Sequence, residues 1–386
     1  MPSIRVNRRA AERLASGAPW VYRAELLGGE APRGSVVRVL DGRNVAVGWA
    51  HYSTQSRIAL RMLPFEVKTT DQGFFRRMLR RAQAYRDLVV EDSEAFRLVH
   101  GEADLLPGLV IDRYGEYFAV QTTSQGMDAS KEAITAALVE ISGPRGVIFR
   151  NDAPAREHED LPRETSVGWG EAPPEDFSLA INGLRVLVDV MGGQKTGLFL
   201  DQRENALAAA RYARGKALDC FSHEGGFALR LAARCERVEA IDSSAAAVER
   251  ARSNAALNGL TNLEARQADV FELLNDYSRG GRRFDAVALD PPAFAKSRRH
   301  AAAAAGAYKE LNLKALRLLG SDGVLVSCSC SHHFSEADLL GVIAEAALDA
   351  GKRLRVIERR TQARDHPIAL TMPETHYLKC LILQLY

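Results

Sequence analysis

The sequence has no hydrophobic run approaching the roughly 18 residues needed to span a bilayer. Its first twenty residues are basic and lack both a long apolar core and a small-residue cleavage site, so a cytoplasmic protein is expected. Cysteine is scarce and odd in number: Cys220, Cys235, Cys328, Cys330 and Cys380. With no secretion signal these do not make a disulfide framework, and reduced thiols are expected. Glycine (30) and proline (14) are too few for a collagenous or low-complexity chain. Lysine is absent from Met1 to Phe65, where ten arginines stand against three glutamates and one aspartate. That segment carries about +6 on a chain whose net charge is only +2. Such a basic module suits a polyanionic ligand, since each neutralised phosphate releases counterions, although an arginine-rich solvated surface reads the same way.

What is present is a globular composition, 46% hydrophobic and 26% charged, in 386 residues. That length exceeds one ordinary core and implies more than one domain. Short apolar runs at Ser35–Leu40, Val45–Ala50 and Ile58–Leu63, separated by turn residues, predict a small β-rich domain. Residues Phe74–Val90 read as a helix with Phe75, Leu79, Ala82 and Leu88 near one face and Arg76, Arg77, Arg80 and Arg81 toward the other. Strands at Phe96–His100, Leu109–Asp112, Tyr117–Thr122 and Gly146–Arg150, with a helix at Ser130–Ser142, make an α+β unit. Asn151–Asp176 is acidic, holds four prolines and reads as a connecting segment or irregular edge. From Phe177 onward strands and helices alternate, which predicts a mostly parallel sheet with helices on both faces. Its strands are expected at Lys216–Cys220, Val238–Asp242, Leu263–Gln267, Ala286–Asp290, Val324–Ser329 and Tyr377–Leu385. No internal repeat is visible.

Ligands of open α/β sheets bind beyond the carboxyl ends of the strands, and there the sequence is informative. Asp219-Cys220-Phe221-Ser222-His223-Glu224-Gly225-Gly226 turns directly into a helix, with glycines that allow close backbone approach. It does not match G-x-G-x-x-G, and glycines serving only a tight turn would look alike. The next strand ends in Asp242-Ser243, about twenty residues further on, where a carboxylate can accept both ribose hydroxyls. Asp269 follows the third strand, as a ligand contact or as a helix N-cap. Three acids in series suit a neutral or cationic nucleoside better than a phosphorylated one, and S-adenosylmethionine fits. The fourth strand ends in Asp290-Pro291-Pro292-Ala293-Phe294, whose two fixed φ angles aim the preceding groups and resemble the substrate loop of nucleic-acid methyltransferases.

The fifth strand ends in Cys328-Ser329-Cys330-Ser331-His332-His333, with Cys330 nearer the carboxyl end. A thiolate there has a use: addition to C6 of cytosine makes the poorly nucleophilic C5 electron-rich. Asp290 would hydrogen-bond the N3 and N4 edge, and a base would remove the C5 proton before elimination. The competing reading for either cysteine is a small buried strand residue. A zinc site fails on spacing, lacking C-x-x-C and H-x-x-x-H, so no metal is expected. Lys296, Arg298 and Arg299 after the Asp-Pro-Pro loop are candidate phosphate contacts.

These residues, with others along nearly the whole chain, resemble the RlmI-type 23S ribosomal RNA cytosine-C5 methyltransferases. The stretches are Ala18-Pro19-Trp20-Val21-Tyr22, Phe96–Asp112, Gly193-Gln194-Lys195-Thr196-Gly197-Leu198-Phe199-Leu200-Asp201-Gln202-Arg203, Asp290-Pro291-Pro292, Ser329-Cys330-Ser331, Asp365-His366-Pro367 and Pro373–Lys379. The resemblance implies a multi-domain α/β protein: a PUA RNA-binding domain over 1–68, a central α+β domain with its connecting segment over 69–176, and a Rossmann-like class I methyltransferase domain over 177–386. It implies S-adenosylmethionine as cofactor, 23S rRNA or a large-subunit precursor as partner, and a homodimer. Cys330 would be the nucleophile and Asp290 its partner. Asp219, Phe221 and Gly225 would lie against the methionine part, Asp242 with Ser243 at the ribose and Asp269 at the adenine amine. Lys195, Thr196, Phe199 and Gln202 would belong to a loop closing over the cofactor, and Pro291 counts in the same set. No cysteine follows Asp290-Pro291, so release cannot use a second thiol.

Two other readings stand beside this one. Asp-Pro-Pro-aromatic loops also serve methylation of exocyclic amines of guanine or adenine, where the flipped base is stacked and no nucleophile is needed. Here Ala293 displaces the aromatic to Phe294. An inactive RNA-binding scaffold in ribosome assembly is the third reading, against which the retention of Asp219, Asp242, Asp269, Asp290 and Cys330 argues.

Overall fold

The computed structural model describes residues 1–64, 67–294 and 301–386. The Lys296, Arg298 and Arg299 phosphate contacts therefore lie outside the described residues. The chain forms two compact units, the first holding Met1–Gly183, Val188–Leu200 and Arg364–Thr375, the second Leu184–Leu187, Asp201–Ala363 and His376–Tyr386.

In the first unit, β1 (Ser3–Val6), α1 (Arg8–Ala15), β2 (Trp20–Tyr22), β3 (Leu26–Gly28), β4 (Val36–Leu40), β5 (Ala46–Tyr52) and β6 (Ile58–Leu63) build a six-stranded sheet of order β2-β6-β5-β4-β1-β3. Alternating Ile4, Val6, Val37, Val39, Ala50 and Leu60 supply its core. Helix α1 went unread in the sequence because seven of its eight residues keep solvent contact, leaving only Ala10 fully buried.

There follow α2 (Gln72–Val89), β7 (Ala95–His100), β8 (Leu109–Tyr114), β9 (Tyr117–Thr122), α3 (Gln125–Asp128), α4 (Lys131–Ser142), β10 (Gly146–Asn151) and β11 (Glu164–Gly170), with sheet order β11-β10-β9-β8-β7. Helix α2 starts where Asp71 accepts the Phe74 N–H and buries Phe74, Phe75, Met78, Leu79 and Ala82. Leu88, placed on its apolar face from the sequence, is 79% exposed, because burial shifts toward Arg86 in the last turn. Arg86 is fully buried on a bidentate pair with Asp104 (2.5 and 2.7 Å). Strand β11 corrects the reading of Asn151–Asp176 as irregular: it pairs antiparallel with β10. Every β11 residue is exposed, so this edge strand has no apolar alternation to reveal it. Strand β12 (Ser178–Ile181) completes the unit.

The second unit, opened by β13 (Leu184–Leu187), contains α5 (Arg203–Tyr212), β14 (Lys216–Cys220), α6 (Ala228–Ala232), β15 (Arg237–Asp242), α7 (Ala245–Leu257), β16 (Leu263–Gln267), α8 (Val270–Arg279), β17 (Phe284–Leu289), α9 (Ala301–Leu318), β18 (Leu319–Ser329), α10 (Glu336–Asp349), β19 (Leu354–Arg360) and β20 (Lys379–Leu385). Its seven strands run β16-β15-β14-β17-β18-β20-β19, parallel up to β18, with β20 antiparallel between β18 and β19. The order reverses between β14 and β17, the switch point where such sheets bind ligands. Strand β19 was missed for the reason that hid β11: it is a charged edge, LRVIERR, without a clean alternation.

Period-two alternation divides this sheet into unlike faces. Leu218, Ile241, Val287, Leu289, Leu325, Leu381 and Leu383 pack with α8, α9 and α10. Ala217, Val238, Ala240, Ala286, Ala288, Val326, Cys328 and Cys380 pack with α5, α6 and α7. The second parity runs on to Asp219 and Asp242, and one step past β17 and β18 it reaches Asp290 and Cys330.

Candidate active site

The turn after β14 is tightly specified. Asp219 is buried; its Oδ2 accepts the Ala228 N–H at 2.8 Å, starting α6, while its Oδ1 is buried without a partner. Burial holds this carboxyl well above the usual range, and the acids Asp290 and Asp242 add to the effect against the opposing Ala228 hydrogen bond. The Ser222 hydroxyl is also buried and unpartnered. Phe221 (φ 63°), His223 (φ 48°) and Gly225 (φ 92°) are all left-handed, a conformation costing a non-glycine residue about 1–2 kcal/mol. A strap secures it: Asp242 accepts the N–H of His223 and of Ser244, both at 2.9 Å. Asp242 is thus held in place with its remaining lone pairs available to a ligand.

Asp269 caps α8 through the Glu272 N–H at 3.0 Å and is exposed, so the capping role is real and one carboxylate oxygen is left over. Ser243 lies between Asp242 and the α7 cap, its carbonyl accepting from Gln267 (3.0 Å). On the leucine-rich side a ladder of rings runs Phe221–Phe271–Phe294–Tyr308–Phe334, with centroids 4.8–6.4 Å apart. The sequence offered no spacing that would reveal it, because its rings come from five separate segments.

At the end of β17, Asp290 Oδ1 accepts from Gln202 Nε2 (2.8 Å), and Gln202 Oε1 accepts from Asn205 (2.7 Å). Asn205 in turn accepts from Arg360 (3.0 Å), so the amides are oriented in series. Pro291, buried, follows at once. At the end of β18 the two cysteines separate. Cys328 is fully buried opposite Cys380, and burial pushes its thiol well up. Cys330, one residue past the strand, is the one cysteine of five that is not buried. Around it the Tyr308 hydroxyl bridges Ser329 (2.8 Å) and Ser331 (3.1 Å), and Lys379 donates to the Ser331 carbonyl (2.6 Å). Asn205 escaped the sequence reading, having no motif-level signal of its own, and Lys379 was read only as the last residue of the Pro373–Lys379 motif, with no role assigned.

The loop residues divide. Gln202 belongs with Asp290 in the second unit, whereas Lys195, Thr196 and Phe199 belong to the first. Thr196 is fully buried, donating to Asp112 (2.6 Å) and bonded to the Tyr114 hydroxyl (3.0 Å). Lys195 (φ 54°) lays its ammonium 4.4 Å from the Phe199 ring centre. Asp365 in the same unit accepts the Arg97 N–H (2.8 Å), and Arg97 pairs with Asp112 (2.8 Å). The Phe96–Asp112 and Asp365-His366-Pro367 motifs, far apart in sequence, are therefore one buried charge network.

Comparison with known proteins agrees with this fold. Residues 4–65 match the PUA-like domain family, and residues 213–363 match the methyltransferase domain family. The fold is that of a methyltransferase domain in a chain that also carries a PUA-like module. The ribosomal RNA large subunit methyltransferase I of Tolumonas auensis is 38% identical over 376 residues, covering 95% of each chain. Its namesake in Klebsiella pneumoniae is 37% identical over 370 residues, covering 94% of this chain and 92% of its own. The chain belongs to the ribosomal RNA large subunit methyltransferase I family. In fold it is similar to SMU.776, described as a methyltransferase and solved with SAH (TM-score 0.85, 18% identity, all of both chains covered).

The donor set fits S-adenosylmethionine. Asp219 Oδ1 and the Ser222 hydroxyl are buried polar atoms awaiting a partner, and Asp242 and Asp269 present carboxylates at the next two strand ends. Acids in this number suit a cationic nucleoside and oppose a phosphorylated one.

Proposed function

We propose that the protein is an S-adenosylmethionine-dependent methyltransferase of large-subunit ribosomal RNA that forms 5-methylcytidine in 23S rRNA through a covalent bond from Cys330 to C6. The observation that carries this reading is the position of Cys330: unburied, one residue past β18 and on the sheet parity of Asp290. S-adenosylmethionine, when bound, supplies an electrophilic methyl carbon. Asp219, Phe221 and Gly225 would hold its methionine part, Asp242 and Ser243 its ribose and Asp269 its adenine amine. Pro291 would back the pocket. Gln202 reads more simply as the residue orienting Asp290.

On the base, the Cys330 thiolate adds to C6 and the ring electron density moves to C5. Asp290 hydrogen-bonds the N3 and N4 edge and offsets the charge that develops there. After C5 is methylated, a base takes the C5 proton, the C6–S bond breaks, and ring and thiolate are restored. The basic PUA-like module supplies RNA affinity through phosphates. A homodimer and a cytoplasmic location complete the reading. Against amine methylation stands the engagement of the Phe294 ring, which packs with Phe271 and Tyr308.

The test is transfer of labelled methyl to ribosomal RNA lacking the modification, with nucleoside analysis, for wild type and Cys330→Ala side by side. Label in 5-methylcytidine that vanishes in the variant, while cofactor affinity stays within a few-fold, is the expected result. Label in a methylated purine, indifferent to Cys330, would move the assignment to the amine chemistry; no label on any RNA would favour the scaffold.

A further inference from the structure

Lys379 has no place in the chemistry above, yet its surroundings are built around it. In the β18–β20 ladder it stands opposite Ser329, the residue before Cys330. It is only 4% exposed, and its Nζ donates to the carbonyls of Ser331 (2.6 Å) and Tyr377 (2.9 Å). The ammonium thus fixes the turn that carries Cys330. Its flanking strand residues Cys380, Leu381, Ile382 and Leu383 are apolar and buried, so a side chain meant only to fill this position would be apolar as well.

Neutral carbonyls do not fully offset the cost of removing a unit charge from water; a nearby anion does. Two groups favour the charged amine, the Cys330 sulfur and Asp338 on α10, while burial works the other way and brings Lys379 down to about 8. Asp338 is engaged at its own helix cap, with the Ser335 N–H (2.8 Å) and hydroxyl (2.7 Å). From α9, Tyr308 faces Cys330 with its hydroxyl held by Ser329 and Ser331, and the His332 and Tyr377 rings lie 5.7 Å apart beside the turn. Electrostatic coupling is reciprocal: a thiolate that favours the ammonium is itself favoured by it.

We propose that Lys379 is the positioning residue of the nucleophile, its buried ammonium fixing the Ser329–Ser331 turn and holding the Cys330 sulfur as a thiolate ready to attack the base. The inference rests on the assignment of Cys330 as nucleophile.

The experiment is the pH dependence of iodoacetamide alkylation of Cys330 in the full-length protein, read by peptide mass spectrometry without RNA; the other four cysteines are buried. The wild-type midpoint is expected below the roughly 8.5 of an ordinary thiol. In Lys379→Met it should rise by about one unit or more, slowing alkylation at pH 7 about tenfold. Methyl transfer should shift to higher pH in parallel, with cofactor affinity unchanged and Lys379→Arg retaining most of the wild-type midpoint. A wild-type midpoint at or above about 8.5, or equal midpoints in wild type and Lys379→Met, overturns the proposal. If Lys379→Met does not fold, the wild-type and Lys379→Arg midpoints still decide. Full turnover in Cys330→Ala sinks the nucleophile assignment itself, an outcome separable from the midpoints because those are read without substrate.

Discussion

The two faces of the seven-stranded sheet are made of different residues and do different work. One carries Leu218, Val287, Leu289, Leu325, Leu381 and Leu383 against Leu273, Leu274, Leu311, Leu316 and Leu318 of the helices, a deep aliphatic layer. The other pairs Ala217, Ala240, Ala286 and Ala288 with Ala206, Ala209, Ala228, Ala232 and Ala251, a thin layer of small side chains. Interior packing is dense on both, but the transfer free energy scales with apolar area, so the leucine face contributes more stability per residue. The alanine face lets α5, α6 and α7 approach closely. Its parity then delivers Asp219, Asp242, Asp290 and Cys330 to the strand ends. Burying Asp219 is unfavourable for the fold, as its raised pKa records: loss of solvent is the main cause, and the nearby Asp290 and Asp242 add to it. Stability thus resides mainly on one side of the sheet, and the candidate site lies at the strand ends of the other.

That division can be broken from either side. Leu311→Ala, in the deep layer, should cost about 2–5 kcal/mol in urea unfolding while leaving cofactor affinity of the folded protein unchanged. A parallel loss of affinity would show that the faces are not independent. Asp242→Ala should do the reverse, weakening S-adenosylmethionine binding by about 1–3 kcal/mol through unpaired ribose hydroxyls. Unchanged affinity, measured by calorimetry, would remove Asp242 from the site.

The smallest effect is a pH slope. Asp219 has a folded pKa raised above its unfolded value, so its contribution to stability is present below the ordinary carboxylate range and is lost as pH rises through the raised value. A cationic ligand at Asp219 pulls the pKa back down, so binding releases a proton and affinity climbs with pH across that window, by about tenfold per unit at most. Calorimetry in buffers of different ionisation enthalpy reads the proton count, and Asp219→Asn should flatten the slope. A slope that survives in Asp219→Asn assigns the proton elsewhere.

Legibility followed burial for most strands, the edge strand β16 being read correctly with only Ala265 buried. Strands β14, β15, β17 and the end of β18 announced themselves as apolar runs ending in acids or cysteine, because central parallel strands are covered on both faces. Edge strands β11 and β19 did not, since solvent imposes no alternation on them. At the site, Asp219, Asp242, Asp269 and Asp290 were readable from their places after strands. Gln202 was readable as a motif residue but not as the partner of Asp290, which it meets 88 positions away. Cys330 was preferred to Cys328 from its place nearer the carboxyl end of the strand, and the structure separates them further, with Cys328 buried and Cys330 only partly so.

The sequence by itself determined the alternation of strand and helix, the acids at successive strand ends and the basic N-terminal module, because each is written in local periodicity or composition. Only the tertiary structure decided which groups act on one another. The Gln202–Asp290 contact, the ring ladder from Phe221 to Phe334 and the bond from Lys379 to the Ser331 carbonyl all join segments distant in the chain. Such pairings are set by sheet order and register, which depend on the packing of the whole unit rather than on any local stretch of residues.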